Sequence, residues 1–265
     1  MPRARRHFLP GHIWHITHRC HKKEFLLKFA KDRLRWMHWL FEAKKRYGLV
    51  VLNYMVTSNH IHLLVIDGDA KDVISKSMQL IAGRTAQEYN WRKKRKGAYW
   101  EDRYHATAIE RDDHLFRCMA YIDLNMVRAG VVSHPSEWQF SGYNEIQNPR
   151  KRYAVINYSR LIQLLNINTV EDLKTSHGGW IEEALENDGY ARENQWTESV
   201  AVGSKGFIEA IKKALGFQVK GRDVIGAGEN YQLREQQSAY SPIFVHEKAT
   251  LRDDNTCFWD ISHLI

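Results

Sequence analysis

The sequence predicts an α+β fold with a ferredoxin-like antiparallel sheet and helices on one face, followed by a small, mostly helical region. In the first half of the chain, segments of strand type and helix type follow the order strand, helix, strand, strand, helix, strand, helix. The two middle strands are joined by a short, turn-rich connection, as antiparallel hairpin partners are. Both observations are typical of the split βαβ arrangement.

The first strand is predicted over residues 12–20, where β-branched and aromatic residues alternate with histidines. One face of this strand would carry His12, Trp14, Ile16 and His18. Histidines recur here every three residues, which is also a helical metal-site spacing, but Gly11 and the Ile and Thr content favour a strand. The first helix follows over residues 30–47, where apolar residues recur at helical spacing, and it ends at Gly48.

The middle strands carry the first candidate site residues. Residues 49–56 are a continuous apolar run of strand type, and residues 57–59 lead into a strand that begins at His60. Alternate side chains of a strand share a face, so His60 and His62 would lie side by side, close enough to bind one divalent ion. In a chain with 14 histidines such a pair also arises by chance, on a half-exposed strand face.

A second helix is predicted from about residue 72, and its end is the basic run 92–96. Such runs are commonly solvated helix ends. The aromatic residues that flank this one are Tyr89, Trp91, Tyr99 and Trp100. Interleaved cations and rings suit single-stranded nucleic acid, because phosphates take the charge while splayed bases stack on the rings. We therefore predict nucleic-acid contacts here.

A further strand is predicted over residues 104–109, and a helix runs from the capping pair 112–113 to about Ala129, before Gly130. One stripe of this helix carries Arg117, Tyr121, Asn125 and Arg128. A lone tyrosine at such a position is usually an amphipathic edge residue. A phenol nucleophile, an amide oxygen for a hard metal and two guanidinium groups for phosphate together form a phosphoryl-transfer constellation.

The positive charge is confined to the N-terminal part. Residues 1–150 contain 26 Lys and Arg against 15 Asp and Glu, whereas residues 151–265 contain 13 against 16. A positive charge that is concentrated in one region indicates a polyanionic partner. When aromatic residues accompany the charge, nucleic acid is the default partner. A charge that served only solubility would be spread evenly.

Composition also excludes several classes. No window approaches the ~18 apolar residues of a membrane span, and the basic N-terminus leads into no apolar signal core, so we expect a cytoplasmic protein with no membrane partner. Three scattered cysteines form neither a disulfide framework nor a metal knuckle. Three domains are predicted: a catalytic domain over 8–148, a helical domain over 149–216, and an irregular or partly disordered tail over 217–265.

Two segments resemble the signature motifs of single-tyrosine HUH transposases. They are residues 58–65, with His-Ile-His at 60–62, and residues 121–130, Tyr-Ile-Asp-Leu-Asn-Met-Val-Arg-Ala-Gly. The resemblance is closest to the REP-associated tyrosine transposases, which are similar to transposases of insertion sequences that move as single strands. It extends to residues 14–19, 100–104, 138–143 and 202–208. The chain departs from the family at Met126, where Pro is frequent, and at Cys20, where Gly is frequent.

The resemblance implies an HUH nuclease domain in which His60, His62 and Asn125 bind Mg2+ or Mn2+. Tyr121 would attack the scissile phosphate of single-stranded DNA beside a REP-like hairpin, giving a 5′-phosphotyrosine link and a 3′-hydroxyl that allow rejoining. The catalytic residues would be Tyr121, His60 and His62. The expected DNA contacts are Arg3, Arg5, Arg6, Arg92, Lys93, Lys94, Arg95, Lys96, Trp100, Arg103, Arg117 and Arg128.

Several alternatives remain open. The fold could serve a sequence-specific DNA-binding regulator that does not cleave, or an HUH replication initiator or relaxase. A zinc hydrolase is a third reading, but it lacks a third ligand at a familiar spacing. His105 and His114 are candidate general bases, and the protein is expected to be a monomer or homodimer. Binding without cleavage would separate the regulator from the enzyme.

Overall fold

A seven-stranded sheet runs through the residues that the computed structural model describes, which are 9–66, 72–111, 113–187, 193–227 and 230–235. The strands are β1 (Ile13–Arg19), β2 (Val50–Val56), β3 (His60–Ile66), β4 (His105–Ile109), β5 (Ala201–Gly203), β6 (Arg222–Ala227) and β7 (Asn230–Glu235). Their order across the sheet is β2-β3-β1-β4-β5-β7-β6. The described residues up to 235 cluster as one compact unit, which includes the predicted boundary near residue 148.

The α-helices of the described residues are α1 (Ala30–Tyr47), α2 (Val73–Arg92), α3 (Asp113–Asp123), α4 (Asn125–Arg128), α5 (Gly142–Gln147), α6 (Tyr158–Leu164), α7 (Val170–Glu186), α8 (Gln195–Glu198) and α9 (Lys205–Leu215). Short 3-10 turns occur at His21–Lys23, Pro135–Glu137 and Gly216–Val219. Within the described parts of the chain, every helix is too short or too polar to cross a lipid bilayer.

The first four strands have the predicted ferredoxin-like arrangement. β3 pairs with both β2 and β1, and β1 pairs with β4, in each case antiparallel. The hairpin between β2 and β3 is closed by Thr57, whose hydroxyl donates to the His60 carbonyl. The predicted first helix is confirmed, because α1 ends at Gly48, which adopts a left-handed conformation that glycine takes without strain.

Helices cover both faces of the sheet, whereas the sequence predicts helices on one face. α2 lies over the face that carries His18, because Trp100 stacks on His18 and donates its indole N–H to the Ala82 carbonyl. α1 packs against α2 on the same side. The opposite face, with His62, is covered by α3 and α8, which bring Tyr121 and Trp196 to the sheet. A polar site is therefore enclosed between layers.

The C-terminal region is less helical than the sequence predicts. β5 pairs parallel with β4, and the hairpin of β6 and β7 continues the same sheet. The expectation of a helical region over 149–216 therefore misses β5, and the expectation of irregular chain from 217 is wrong for residues 222–227 and 230–235. β5 is three residues long, which is too short to produce a recognisable alternation. Residues 236–265 lie outside the described parts.

The helix predicted to run to about Ala129 is interrupted. α3 ends at Asp123, and α4 starts at Asn125, with Leu124 near φ −81° and ψ 5° between them. The break occurs although this chain has Met126 where the resembling family often has Pro. The predicted apolar stripe of this segment is buried as expected, at Leu115, Met119, Ile122 and Met126. Tyr121 and Asn125 consequently belong to different helices.

Candidate active site

A cavity of about 510 Å³ collects residues from both predicted motifs. The strand motif contributes His60 and His62, and the helical motif contributes Tyr121 and Asn125. The predicted phosphate contacts that also line this cavity are Arg103 and Arg128. The residues for which the sequence predicts chemistry are therefore brought together, although 59 positions separate His62 from Tyr121 along the chain.

His62 is buried at the floor of this cavity and is bonded at both ring nitrogens. Its Nδ1 lies 2.9 Å from His15 Nε2, and its Nε2 lies 3.0 Å from the Asn125 amide nitrogen. The His15 ring stacks beside it, with ring centroids 5.1 Å apart. The contact arises from register: Thr17 of β1 faces His62 directly, so His15 is its diagonal neighbour on the same face.

His60 is held by its own hairpin. Its Nδ1 lies 2.7 Å from Asn59 Oδ1 and 3.0 Å from Thr57 Oγ1. The Thr57 hydroxyl donates its proton to the His60 carbonyl, so the His60 Nδ1–H donates to Asn59 Oδ1. The proton of a neutral His60 ring is therefore on Nδ1, and the lone pair is on Nε2. The His60 and His62 ring centroids are 5.0 Å apart.

Tyr121 lies beside the histidines on the last turn of α3. Its ring centroid is 5.9 Å from that of His62 and 6.2 Å from that of Trp196. The Arg128 guanidinium carbon sits 4.1 Å over the Tyr121 ring, and the same guanidinium donates to the Tyr121 carbonyl. The side chain is 6% exposed, and it lines a second cavity of about 370 Å³ as well. A cation is thus fixed against the phenol.

Burial sets the charge state of the inner histidines. It lowers the pKa of His15 to about 3, partly opposed by the hydrogen bond to the Trp196 carbonyl. Burial also holds the pKa of His62 well below its usual range, and the nearby His60, His15 and Arg128 add to this. Both rings are therefore neutral at pH 7, which is the protonation state that binds a metal ion.

The donor set fits a divalent ion. His62 Nε2 has a lone pair, which accepts from the Asn125 amide here and which a metal ion would take over from that N–H, and His60 Nε2 carries one as well. Asn125 adds a hard amide oxygen. Among the described residues no group of three or more His, Cys, Asp or Glu is arranged to bind a metal.

A buried polar cluster supports the helix break behind Tyr121. Asp123 Oδ2 accepts from His177 Nε2 at 2.8 Å and from Asn53 Nδ2 at 3.1 Å, and all three side chains are at most 1% exposed. These bonds tie the end of α3 to α7 and to β2. Because they hold the residue directly before Leu124, they fix the orientation of Tyr121 relative to Asn125.

Several predicted DNA contacts have structural partners. Trp100 is half-buried against His18, and Arg92 pairs with the buried Asp32. Arg95 donates to the Ala98 carbonyl at 2.8 Å and pairs with Glu24 at 3.3 Å. Arg92 and Arg95 thus stabilise the end of α2, whereas Trp100 joins the middle of α2 to β1. Arg3, Arg5 and Arg6 lie outside the described residues, and so does Asp112 of the predicted helix cap.

Most of the predicted basic-aromatic run is exposed, whereas the flanking rings of Tyr89, Tyr99 and Trp100 are buried or half-buried. Lys93, Lys94 and Lys96 are exposed, and Trp91 is 86% exposed. The loop before α1 adds two exposed rings that the sequence did not single out, Phe25 and Phe29. Lys93 Nζ lies 5.6 Å from the Phe29 ring, so loop and run form one surface. We call Phe25, Phe29, Trp91, Lys93, Lys94 and Lys96 the basic-aromatic surface.

The remaining predicted residues divide between the two cavities. Arg117 is exposed, lines the second cavity and donates to Asn230 Oδ1 at 3.1 Å. His105 lines the first cavity, but its Nε2 donates to the Ser199 carbonyl at 2.9 Å. His114 lies 3.5 Å from Glu110 and lines neither cavity. His105 is therefore the only one of the two proposed bases that borders the cavity.

Sequence reasoning missed the contribution of the C-terminal region and of β1. Thr197 and Glu198 line the first cavity, as do Glu101 and Asp102. His15 Nδ1 lies 2.8 Å from the Trp196 carbonyl. Alternation along β1 separates His15 from His18, but only the register with β3 shows that His15 meets His62. A backbone carbonyl leaves no signal in a sequence.

Part of the chain is similar to known transposases. Residues 10–125 match the family model described as "Transposase IS200 like". A solved REP-associated tyrosine transposase bound to a REP hairpin is 19% identical over 60% of this chain and 96% of that chain, with a TM-score of 0.47. A putative transposase from Deinococcus radiodurans R1 is 15% identical over 41% of this chain and 87% of that chain, with a TM-score of 0.32. No curated protein matches.

Proposed function

We propose that this chain is a metal-dependent transposase that cleaves and rejoins single-stranded DNA beside hairpins, because residues 10–125 match the family model "Transposase IS200 like". The observation that supports the chemistry is the convergence of Tyr121, His60, His62 and Asn125 on one cavity. The family assignment supplies the substrate class, DNA. The cavity supplies a nucleophile and a set of ligands.

In the proposed reaction, Tyr121 Oη attacks the phosphorus of the scissile phosphodiester. A bond forms between Oη and phosphorus while the bond from phosphorus to the 3′-oxygen breaks. The phenol loses its proton and the departing 3′-oxygen gains one, which leaves a 5′-phosphotyrosine and a 3′-hydroxyl. One ester bond is exchanged for another, so attack by a 3′-hydroxyl reverses the step without an external energy source.

The chain's own residues would orient this exchange. His60, His62 and Asn125 would hold Mg2+ or Mn2+, which supplies Lewis-acid polarisation of a phosphate oxygen when bound. Arg128, stacked on the Tyr121 ring, and Arg103, at the cavity wall, are suited to the negative phosphate. Because Tyr121 is largely buried, the scissile phosphate must enter the cavity to reach its hydroxyl.

We place the flanking DNA on the basic-aromatic surface. Its lysines suit phosphates, and its exposed rings suit unpaired bases. Trp91 supplies the most exposed ring of this set, and Phe29 stands beside Lys93. Arg92 and Arg95 would act on DNA indirectly, because they fix the end of α2, after which the lysines follow.

The alternative is a DNA-binding regulator that does not cleave. The observation that favours it is the 6% exposure of Tyr121, which requires DNA to reach a largely buried phenol. An HUH initiator or relaxase would use the same residues, so the chemistry of the site does not separate it from a transposase. Cleavage separates the enzyme from the regulator.

The test is a labelled single-stranded hairpin with flanking DNA, incubated with the full chain and Mn2+ or Mg2+ and resolved on a denaturing gel. We expect a covalent protein–DNA adduct that is absent in Tyr121→Phe and retained in Tyr153→Phe, which removes an exposed hydroxyl. His62→Ala should bind the hairpin without cleaving it. An adduct that persists in Tyr121→Phe would refute the assignment, and binding without any adduct in the wild type would establish the regulator.

A further inference from the structure

A chain of hydrogen bonds links the cavity to the C-terminal region. It runs from the Trp196 carbonyl to His15 Nδ1 at 2.8 Å, from His15 Nε2 to His62 Nδ1 at 2.9 Å, and from His62 Nε2 to the Asn125 amide at 3.0 Å. We propose that His15 is a positioning residue that holds the His62 ring in the tautomer whose Nε2 lone pair faces the cavity.

The direction of the chain follows from what each atom can donate. A carbonyl oxygen only accepts, so His15 Nδ1 must carry the proton of that bond. In a neutral imidazole the other nitrogen is then an acceptor, so His15 Nε2 accepts from His62 Nδ1–H. His62 Nε2 is left with a lone pair, and it receives an N–H from Asn125. Each bond in the chain agrees with the next.

His15 has no other evident role in this position. It is fully buried, yet it stands on the face of β1 that points toward the site, between Thr17 and Ile13. A buried imidazole in an apolar layer would cost stability unless both nitrogens were bonded, and here both are. A partner of this kind fixes the orientation and the tautomer of a metal-binding histidine.

The two cavity histidines reach the same tautomer by different routes. His60 donates Nδ1–H to Asn59, its neighbour in the hairpin. His62 donates to His15, which is 47 positions away and is oriented by a carbonyl 181 positions from His15. The carbonyl that orients His15 belongs to Trp196 of α8. This helix lies beyond the segment that matches the family model.

Thr107 provides a matched control for the first experiment. It faces His15 across the pairing of β1 and β4, is fully buried, donates its hydroxyl proton to the Ser199 carbonyl at 2.7 Å, and has the same hydroxyl 3.3 Å from the Trp196 carbonyl. It makes no hydrogen bond with His62. Thr107→Val therefore disturbs the same carbonyl without removing the acceptor of His62.

The first measurement is a long-range 1H–15N correlation of the histidine rings in the full-length, metal-free protein. We expect protonated Nδ1 and unprotonated Nε2 for both His15 and His62 in the wild type. In His15→Phe the His62 ring should lose this preference, whereas Thr107→Val should keep it. Protonated Nε2 on wild-type His62, or an unchanged His62 ring in His15→Phe, would overturn the proposal; the wild-type spectrum decides alone if His15→Phe does not fold.

The second measurement is Mn2+ affinity by electron paramagnetic resonance, which rests on the proposed function. Loss of the partner of a ligand should weaken binding about 10- to 100-fold in His15→Phe, and Thr107→Val should bind like the wild type. His15→Gln, which offers an amide donor and an acceptor, should restore part of the loss. If the wild type binds no Mn2+ while the His62 tautomer responds as expected, the metal function fails and the positioning role of His15 stands.

Discussion

The two faces of the first four strands differ in what they bury. One face carries Trp14, Ile16, Ile61, Leu63 and Val65, which pack under α1 and α2. The other face carries His15, Thr17, His62, His105 and Thr107, which face α3 and α8 and are largely bonded to one another or to carbonyls. The first face also carries the buried His18, and the second also carries the buried Ile13, Leu64, Ile66 and Ile109, so the first layer is mainly apolar and the second combines buried polar groups with apolar ones.

The mainly apolar face contributes mostly to stability, and the polar face contributes mostly to the geometry of the site. Apolar burial stabilises a fold without orienting particular atoms, whereas buried polar groups are costly unless each finds a partner, and the partners then fix their geometry. Because strand residues alternate between faces, neighbouring positions of β3 serve the two purposes in turn. Changes at adjacent residues should therefore have different consequences.

The largest expected effect comes from comparing neighbours on β3. Leu63→Ala should lower the free energy of unfolding by about 2–5 kcal/mol, because it leaves a cavity in the mainly apolar layer. His60→Ala should cost less than half as much, since His60 is half-exposed, but should abolish Mn2+ binding. Urea unfolding and Mn2+ titration would measure both. Equal losses of stability in the two variants would contradict the division between faces.

Low pH should destabilise the fold through the buried histidines of the polar face. Burial lowers the pKa of His15 to about 3 and also lowers that of His105, so the unfolded chain binds more protons than the native one below pH 6.5. Stability should thus fall as the pH drops, by up to about 2 kcal/mol for His15 between pH 6.5 and 5. In urea unfolding, His15→Gln should reduce this loss, and the exposed His38→Gln should not. A free energy of unfolding that does not change with pH would contradict this prediction.

The smallest effect is expected outside both faces, on the basic-aromatic surface. Lys93→Ala and Lys94→Ala should each weaken hairpin binding and reduce the slope of log affinity against log salt by about 0.7 per lost phosphate contact. Lys174→Ala, which removes a lysine paired with Glu171 at 3.0 Å, is the control and should change neither. Fluorescence anisotropy at several salt concentrations measures the slopes. Unchanged slopes would move the DNA path elsewhere.

Much of the fold could be predicted because it is encoded locally. The alternation in β1 and β3, the helical spacing in α1 and the turn before His60 are each visible in a few consecutive residues. β5 escaped prediction because three residues cannot show a period, and the hairpin of β6 and β7 because its segment is rich in Gly and Gln. The break at Leu124 depends on Asp123 finding His177, a contact between distant elements.

Some residues of the candidate site are likewise visible in local sequence motifs, and others depend on contacts between distant elements. His60, His62, Tyr121 and Asn125 could be named because their spacing forms motifs, and their convergence on one cavity agrees with that prediction. His15 could not be selected, because its role depends on cross-strand register. Arg92, Arg95 and Trp100 were predicted as DNA contacts from the interleaving of basic and aromatic residues, a pattern that does not reveal their contacts with Asp32, Glu24 and Ala82.

The parallel pairing of β4 with β5 has a consequence for solubility. The amides of Ala108 and Glu110 donate to the carbonyls of Val200 and Val202, at 2.8 and 3.1 Å. If the chain were cut at residue 148, β4 would become an edge strand with these donors unpaired, and an exposed edge recruits strands from other molecules. The C-terminal region therefore acts as a guard against intermolecular sheet growth, whatever else it contacts.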